Sequence, residues 1–401
     1  MYDVIVVGAG PAGNIAALRL ATKGHRVAVV DWRHDIGDKL CTGIVGTECV
    51  KRFPPDDRHV LREASSATIV SPAGKRYAIA KDEPQALIID RVAYIGAMAE
   101  KAAVAGAEYI LGPRVTNIET DDNGAHITTT DAGNPRLSAS LVLLTSGFGS
   151  PLLKAVGLQN GRSNEFMAGA QAEVLVDGVD ETEVYLGRDI APGSFGWLVP
   201  LNDSRALAGV VSHRQLNGHM DHFLSNLQTQ GKVREVIKGP ARWGVPLRPV
   251  PKTYGERVLV AGDAAGLAKP TTGGGIYYAL LSGELAAETA GEALSTGDFS
   301  ASGLRQYEKR WKSVFGRELK IGYYARLLYE ALGDEQIERL LDELWTSGLK
   351  DELISPAEFS FDWHGRVILK ALNHRHLGAI FRSFGPLASP FVSWLTGARL
   401  L

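Results

Sequence analysis

Two kinds of hydrophobic pattern alternate along the 401-residue chain. The first is a short, continuous apolar run rich in β-branched residues, which is typical of a parallel strand buried on both faces. The first such run leads through a glycine-rich turn into an Ala/Leu-rich helix over residues 14–23, which ends at Gly24. With the next run it predicts a βαβ unit at the start of the chain. The apolar runs occupy residues 3–7, 26–31, 139–145 and 258–261.

The second pattern is an alternation of polar and apolar residues. It covers residues 66–89 and 166–215, with turn signals such as Ser71-Pro72-Ala73-Gly74, and predicts antiparallel strands. Helical periodicity occupies residues 91–105 and continues from about 301 onwards. We therefore expect an α/β fold in which a parallel-sheet domain is interleaved with an antiparallel-sheet domain. The expected boundaries are 1–65, 90–165 and 250–300 for the first domain, 66–89 and 166–249 for the second, and 301–401 for a helical C-terminal region.

The first turn has the composition of a phosphate-binding loop. Gly8-Ala9-Gly10-Pro11-Ala12-Gly13 fits G-x-G-x-x-G between the first strand and the first helix. Gly8 permits the tight turn, Gly10 lets the backbone approach a pyrophosphate, and Gly13 allows close helix–strand packing. The helix N-terminus offers N–H groups and a positive dipole end to phosphates.

An acid closes the second strand at the position where dinucleotide-binding folds hold a ribose. Asp31 lies about 20 residues beyond the glycine turn and would accept hydrogen bonds from ribose hydroxyls. An acid here favours FAD or NAD over a nucleotide with a 2′-phosphate. The sequence therefore predicts an ADP-binding site made of Gly8, Gly10, Ala12, Gly13 and Asp31.

A second glycine-rich stretch lies far downstream. Residues 258–266 predict a strand that runs into Gly262-Asp263, and Pro270-Thr271-Thr272-Gly273-Gly274-Gly275-Ile276 opens a helix. The two fingerprints together resemble the flavoprotein hydroxylase-type FAD fold. That resemblance implies a Rossmann-like FAD-binding domain in which Asp263 binds the ribityl chain and the backbone at Thr272–Gly275 stabilises the reduced flavin. The residues it adds to the cofactor site are Arg91, Gly262, Asp263, Thr272, Gly273, Gly274 and Gly275, with Arg91 as a flavin contact.

Three longer stretches resemble the geranylgeranyl reductase family. They are Asp35–Gly43, Pro192-x-x-Phe195-x-Trp197-x-Val199-Pro200 and Lys269–Leu280. The resemblance covers about residues 1–330 and implies an FAD-dependent reductase that saturates C=C bonds of isoprenoid chains. The chain departs from the family pattern in three places. Phe195 and Val199 replace a tyrosine and a phenylalanine of the family motif, and Ser146-Gly147 replaces a common acid-glycine pair.

Reduction of an unactivated C=C bond needs a hydride, a proton and a cavity that excludes water. Phe195, Trp197, Pro200, Trp243 and Pro246 are candidates for the cavity wall. The family has a cysteine at the position of Cys41, and a thiol is a weak acid that nearby dipoles can tune. The resemblance therefore implies that Cys41 is a proton donor or flavin neighbour. The candidate catalytic residues are Cys41, Phe195 and Trp197, and a redox pair of Cys41 with Cys49 stays open as an alternative.

Composition and charge exclude several classes of function. The net charge of −2 gives no basic field for nucleic acid, and two cysteines are too few for a disulfide scaffold and fit a reducing cytosol. The chain opens directly into a strand without the pattern of a signal peptide, and no apolar run reaches the roughly 18 residues of a spanning helix. Metal-ligand and hydrolase motifs are absent from the sequence, so we predict a cytoplasmic oxidoreductase without a metal.

Residues 363–401 have a distinct charge pattern. They contain no acidic residue, and Leu377, Ile380, Phe381 and Phe384 form one apolar helical face beside basic side chains. This combination is typical of a helix on a membrane surface, although a helix packed on the protein body is the alternative. We expect peripheral contact with the inner membrane surface, where a long isoprenoid lipid resides. The basic residues are Arg366, Lys370, Arg375, Arg382 and Arg399.

Two other functions remain open. A flavin monooxygenase or halogenase of the same fold would consume oxygen with each turnover, although Phe195 stands where halogenases have the first tryptophan of W-x-W-x-I-P. A flavin-bearing electron carrier or lipid-binding module would not be reoxidised by a prenyl lipid. The chain has no second G-x-G-x-x-G, so either NAD(P)H or a ferredoxin-type protein could be the electron donor.

Overall fold

The computed structural model describes residues 1–37, 41–133, 135–158, 165–213, 216, 218–355 and 358–374. The strands in these residues are β1 (Tyr2–Val7), β2 (Val27–Asp31), β3 (Ile44–Gly46), β4 (Val60–Ala64), β5 (Ser66–Val70), β6 (Arg76–Ala80), β7 (Ala86–Ile89), β8 (Glu108–Leu111), β9 (Val115–Asp121), β10 (Gly124–Thr129), β11 (Arg136–Leu144), β12 (Phe166–Val176), β13 (Thr182–Leu186), β14 (Phe195–Pro200), β15 (Arg205–Ser212), β16 (Val233–Pro246), β17 (Tyr254–Gly255) and β18 (Val258–Val260). The α-helices are α1 (Pro11–Ala21), α2 (Thr47–Arg52), α3 (Arg91–Val104), α4 (Leu152–Ala155), α5 (His219–Thr229), α6 (Ile276–Thr296), α7 (Ala301–Trp311), α8 (Arg317–Ala331), α9 (Asp334–Thr346), α10 (Leu349–Leu353) and α11 (Gly365–Asn373).

The chain forms two units, and each is assembled from three separate segments. The first unit comprises Met1–Lys39, Asp90–Phe166 and Gly244–Leu319. The second comprises Leu40–Ile89, Met167–Trp243 and Lys320–Leu401. The mixed α/β class with a helical C-terminal region that the sequence predicts is confirmed.

The apolar runs of the sequence form the centre of the sheet in the first unit. Its strand order is β17-β18-β11-β1-β2-β8, and β10 and β9 extend it from β11. The strands from β18 to β8 run in parallel. Val4, Ile5 and Val6 are fully buried, because both faces of a parallel sheet are covered. Beside it α1 and α6 approach closely, since a Cβ at Gly283 would lie 2.3 Å from the Ala12 carbonyl oxygen.

The second unit contains a seven-stranded sheet of order β16-β12-β15-β14-β13-β5-β6. One face packs on α5 in a core that includes Leu198, Val210 and Phe223, each fully buried. Most neighbouring strands pair in antiparallel fashion, as the sequence predicts. The expectation of antiparallel pairing throughout is wrong for β5 and β13, which are parallel. These strands come from different segments of the chain, so no hairpin sets their direction.

The bounds of the two units differ from those expected from the sequence, and two differences have a visible cause. Residues 44–64 lie in the second unit, because β3 and β4 pair with β7 in a three-stranded sheet. Helix α7 lies in the first unit, where the Trp311 indole N–H donates to the Thr253 hydroxyl over 2.9 Å. The local hydrophobic pattern does not reveal the pairing of β3 and β4 with β7 or the packing of α7, since both depend on contacts between distant segments.

The C-terminal segment is attached to the start of the second unit. The buried carboxylate of Asp362 accepts hydrogen bonds from the backbone N–H groups of Gly46, Glu48 and Cys49 at 3.2, 2.9 and 3.1 Å. It therefore caps the N-terminus of α2. The predicted apolar face at Leu377–Phe384 lies outside the described residues. Within the part of the chain that is described, no helix has both the length and the apolarity to cross a membrane.

Candidate active site

Four chain segments end or follow strands at one edge of the first unit's sheet, and three of them carry residues that the sequence predicts to bind a cofactor. Gly8 follows β1, Asp31 ends β2, Thr145 follows β11, and Asp263 follows β18. The carboxyl ends of parallel strands lie along the same edge, which is where open α/β sheets bind ligands. The fold therefore brings the N-terminal glycine turn and the distant Gly262-Asp263 pair to the same side of the sheet.

The three glycines of the first turn have different surroundings. Gly8 has φ +113°, and a Cβ there would lie 2.5 Å from the Thr145 carbonyl oxygen. A Cβ at Gly13 would lie 1.9 Å from the Gly8 carbonyl oxygen, so the helix can pack on the turn only with glycine here. No atom lies within 4 Å of a Cβ at Gly10. The backbone at Gly10 is therefore open to a ligand, as a pyrophosphate requires.

Asp31 is held against this turn. One carboxylate oxygen accepts from the Ala9 N–H at 2.8 Å, and the other accepts from the Arg33 N–H at 2.9 Å. The side chain is 10% exposed, so it keeps only a small outward surface. This arrangement fixes the carboxylate beside the loop that would hold a pyrophosphate.

Two residues that support the turn were not singled out from the sequence. The buried Thr145 hydroxyl contacts the Val7 and Gly8 carbonyl oxygens at 3.0 and 2.8 Å. The buried Asn14 amide donates to the Ala9 carbonyl oxygen at 2.9 Å and accepts from the Tyr109 hydroxyl at 2.9 Å. Burial raises the pKa of Tyr109, so its hydroxyl stays a donor. The sequence feature that could have identified them is a polar residue inside an otherwise apolar strand or Ala-rich helix.

Ser146 offers a test of whether the edge fits a nucleotide. Its hydroxyl oxygen is buried and has no hydrogen-bond partner within the described residues. Its Cα would lie 3.0 Å from a Cβ at Gly8, so it is adjacent to the glycine turn. A buried hydroxyl without a partner is unfavourable, and a ligand bound at this edge could supply one. The residues present therefore fit a bound dinucleotide.

The downstream fingerprint is compact. Gly262 and Asp263 lie in a short 3-10 helix, and the Ser282 hydroxyl accepts from the Gly262 N–H at 3.0 Å. One Asp263 carboxylate oxygen would lie 2.9 Å from a Cβ at Gly275, so the carboxylate abuts the glycine-rich start of α6. Asp263 also lines a cleft of about 260 Å³ with Ser150 and Lys154, among others.

The remaining predicted cofactor residues occupy the same unit. Thr272 is exposed and Gly273 has φ +75° in the loop before α6. Ala12 is buried in α1 near Gly262, since a Cβ at Gly262 would lie 3.2 Å from the Ala12 Cβ. Arg91 is not a surface residue. It is 8% exposed at the start of α3 and donates to the Gly37 carbonyl oxygen in the loop that follows β2.

The second unit gathers the candidate aromatic residues on one face of its sheet. Phe195 and Trp197 alternate with core residues along β14, and their ring centroids are 5.9 Å apart. Trp243 lies edge-on to Trp197 at 6.2 Å. Two glycines that the sequence analysis did not single out allow this arrangement. A Cβ at Gly209 would lie 2.2 Å from the Trp197 ring, and a Cβ at Gly169 would lie 2.6 Å from the Trp243 ring. The sequence feature that could have identified them is an isolated glycine in each strand, which often marks the close approach of another group to the backbone.

Cys41 belongs to a segment that reaches this aromatic face. The neighbouring Thr42 hydroxyl donates to the side-chain amide oxygen of Gln171, Oε1, at 3.0 Å, and the Trp197 indole N–H donates to the same oxygen at 3.3 Å. The half-buried Cys41 thiol accepts from the Gly43 N–H at 3.5 Å. Cys49 is buried in α2, and the two cysteines do not form a disulfide. Asp38–Leu40, within the predicted Asp35–Gly43 motif, lie outside the described residues.

Known proteins share both the fold and the sequence of this chain. A profile of the pyridine nucleotide-disulphide oxidoreductases matches residues 2–172. The structure of a geranylgeranyl bacteriochlorophyll reductase-like protein from Thermoplasma acidophilum has a TM-score of 0.84 at 24% identity, covering 96% of this chain and 99% of that one. A flavin-dependent halogenase has a TM-score of 0.66 at 16% identity, covering 99% of this chain and 78% of that one. Fold and edge site together define a flavin-binding oxidoreductase.

The sequence relatives narrow this class. A digeranylgeranylglycerophospholipid reductase of Methanoculleus marisnigri is 31% identical over 370 residues, which are 87% of this chain and 92% of that protein. The protein of the same name from Methanosarcina acetivorans is 30% identical, covering 86% of this chain and 88% of that protein. The chain therefore belongs to the geranylgeranyl reductase family, and the resemblance seen in its motifs is confirmed.

Proposed function

We propose that the chain is an FAD-dependent reductase that saturates C=C bonds of isoprenoid chains carried on a lipid. The observation that carries the proposal is identity of 31% across 87% of the chain to a digeranylgeranylglycerophospholipid reductase. The grouping of both glycine fingerprints at one sheet edge supports FAD as the flavin. The acid Asp31 supports it further, because it disfavours a 2′-phosphorylated nucleotide.

The first unit would hold FAD along its strand edge. The open backbone at Gly10 and the N-terminus of α1 suit the pyrophosphate, and Asp31 suits the ribose hydroxyls. Asp263 would accept hydrogen bonds from the ribityl chain, and the N-terminus of α6 at Gly275 would favour negative charge nearby. Arg91 and Ala12 complete the predicted contacts.

The second unit would bind and protonate the substrate. Reduced FAD, when bound, supplies the hydride for one carbon of the double bond. Phe195, Trp197 and Trp243 offer an apolar surface that suits an isoprenoid chain and excludes water. The Cys41 thiol, a weak acid, would donate the proton to the other carbon.

The proposal is tested with the purified full-length protein. We expect a yellow protein with bound FAD that, once reduced under anaerobic conditions, converts a geranylgeranyl phospholipid to products two mass units heavier per double bond. Asp263→Ala should lose most FAD, whereas Asp203→Ala, at an exposed bend, should retain it. Oxygen consumed in proportion to an oxygenated or halogenated product would instead establish the monooxygenase or halogenase alternative. A protein that stays colourless in excess FAD would overturn the proposal.

The electron donor and the membrane contact belong to the same proposal. Either NAD(P)H or a reduced ferredoxin-type protein should reduce the bound flavin, and parallel anaerobic titrations distinguish the two donors. The basic, acid-free residues 363–401 support contact with anionic lipid. Exchange of Arg375, Arg382 and Arg399 for glutamine should weaken sedimentation with anionic vesicles, while binding unchanged from the native protein would refute that contact.

A further inference from the structure

Gln171 connects two segments that the proposed function treats separately. It lies on β12, directly opposite Gly209 of β15, which is in turn the partner of Trp197 on β14. It is 1% exposed. Its side-chain amide oxygen, Oε1, accepts from the Thr42 hydroxyl and from the Trp197 indole N–H. An amide carbonyl has two lone pairs, so these two bonds use its full accepting capacity.

We infer that Gln171 is a positioning residue that holds the Cys41–Gly43 loop in a defined relation to the Trp197 ring. This inference rests on the proposed function only for the role of Cys41 as proton donor. The bonds themselves lie within the second unit and need neither cofactor nor substrate. The position of the Cys41 thiol relative to the Trp197 ring is therefore set by the protein alone.

Gly43 makes the other described contacts of the loop. The Gly43 carbonyl oxygen accepts from the Ile89 N–H at 2.9 Å, and Gly43 adopts φ +74° with no room for a Cβ. The Gly43 N–H contacts the Cys41 sulfur. Among the described contacts of this loop, the bond from Thr42 to Gln171 is the one that connects it to the large sheet.

The Trp197 ring is constrained from the other side. The ring lies so close over Gly209 that it cannot move towards the sheet, and Trp243 lies at its edge. The hydrogen bond from the indole N–H to Gln171 fixes the rotation of the ring about its bond to Cβ. Removing the side-chain oxygen of Gln171 would leave a buried indole N–H and a partly buried hydroxyl without their acceptor, which is unfavourable. Both groups would reorient to find new partners.

The first experiment measures the reactivity of the Cys41 thiol in the full-length protein. Iodoacetamide alkylation of Cys41 is followed by mass spectrometry as a function of pH, with the buried Cys49 as an internal reference. We expect Gln171→Met to change the alkylation rate roughly 5–10-fold and to move its pH midpoint. Thr42→Val should give a similar change, and Thr42→Ser, which keeps the hydroxyl, should restore native behaviour.

The second experiment separates positioning from folding. Thr42→Val leaves the Trp197 bond intact, so tryptophan fluorescence should shift in Gln171→Met and stay native in Thr42→Val. If Gln171→Met does not fold, the comparison of Thr42→Val with Thr42→Ser tests the inference by itself. Native alkylation rate and pH midpoint in folded Thr42→Val would overturn the inference.

Turnover assays connect the inference to catalysis. With a geranylgeranyl phospholipid, Thr42→Val should lower kcat several-fold with little change in KM, because the proton donor rather than the binding wall has moved. Thr42→Ser should again restore kcat. Absence of any reductase activity in the native protein would refute the proposed function, yet the alkylation result would still test the role of Gln171.

Discussion

Buried polar atoms at the strand edge of the first unit differ in whether the protein itself satisfies them. Thr145 and Asn14 have hydrogen-bond partners within the protein, in the glycine turn and, for Asn14, also at Ile95 and Tyr109, so they belong to the framework. The Ser146 hydroxyl has no such partner in the described part of the chain. Adjacent residues thus separate into one that shapes the turn and one that is available to a ligand.

This difference predicts opposite effects of two neighbouring substitutions. Ser146→Ala should leave the melting temperature of the FAD-free protein unchanged or slightly higher, and weaken FAD binding roughly 5–10-fold. Thr145→Val should destabilise the FAD-free protein by about 1–2 kcal/mol, because the Val7 and Gly8 carbonyl oxygens lose a donor. Thermal denaturation and FAD titration by fluorescence quenching measure both. Equal FAD affinity in Ser146→Ala and native protein would show that the hydroxyl does not contact the cofactor.

At this scale, the sequence predicts a candidate site only where the chemistry is encoded within one short stretch. The positions of Gly8, Gly10, Gly13 and Asp31 follow from local spacing, and the structure places them around one turn. Gln171 could not be found in this way. Its partner Thr42 lies 129 residues away, and a single glutamine in a strand pattern carries no local signal.

At the scale of elements, the large sheet of the second unit has two faces with different tasks. One face of β14 contributes Leu198 to the core under α5, and the other presents Phe195 and Trp197. Glycines at the register positions opposite the rings let the indoles lie against the backbone. The sheet backbone therefore sets the depth of the proposed substrate surface.

Gly209→Ala tests this dependence on backbone depth. The added methyl group would meet the Trp197 ring at 2.2 Å, so the ring must move, at a cost of about 1–3 kcal/mol for overpacking. We expect altered near-UV circular dichroism and tryptophan emission, and a higher KM for the isoprenoid substrate. Gly96→Ala in α3 is the control, since no atom lies within 4 Å of its Cβ and it should be neutral or stabilising. A native spectrum for Gly209→Ala would contradict the described packing.

The element pattern was predictable from periodicity, whereas the pairing was only partly so. Alternating residues predicted β12, β14 and β15, and the short connection between β14 and β15 made their antiparallel pairing the natural choice. The parallel pairing of β5 with β13 had no such signal, because no local turn joins them. Pairings between separate segments depend on the packing of the whole unit.

At the scale of the whole molecule, a buried charge cluster affects stability. Glu183 is 5% exposed and contacts Arg76 at 2.7 Å, Lys232 at 2.5 Å and the Tyr185 hydroxyl. Burial alone would raise the pKa of Glu183, but hydrogen bonds from Lys232, Tyr185 and Arg76 lower it below 4.5. The cluster links β6, β13 and the segment before β16.

The lowered pKa predicts the pH dependence of stability. A carboxyl whose pKa is lower in the folded than in the unfolded state binds fewer protons when folded, so it stabilises the protein above about pH 4.5. That contribution is lost as pH falls through the folded pKa. Glu183→Gln should lower the free energy of unfolding at pH 7 by about 3 kcal/mol and have a smaller effect at pH 3.5. Urea denaturation across this range measures it, with exposed Glu63→Gln as control. An effect of equal size at both pH values would contradict the assignment.

The threading of the chain through its two units also has a consequence for biosynthesis. During translation, β1 cannot pair with β11, nor β11 with β18, before the later strand of each pair has been synthesised. The central sheet therefore stays incomplete until residue 260 leaves the ribosome. The glycine-rich start of α6 follows β18 in the chain, so it emerges later still. Nascent chains halted earlier would expose the unpaired edge of β11, which invites aggregation. Cofactor loading is thus a late step, and premature termination yields fragments that chaperones or proteases must remove.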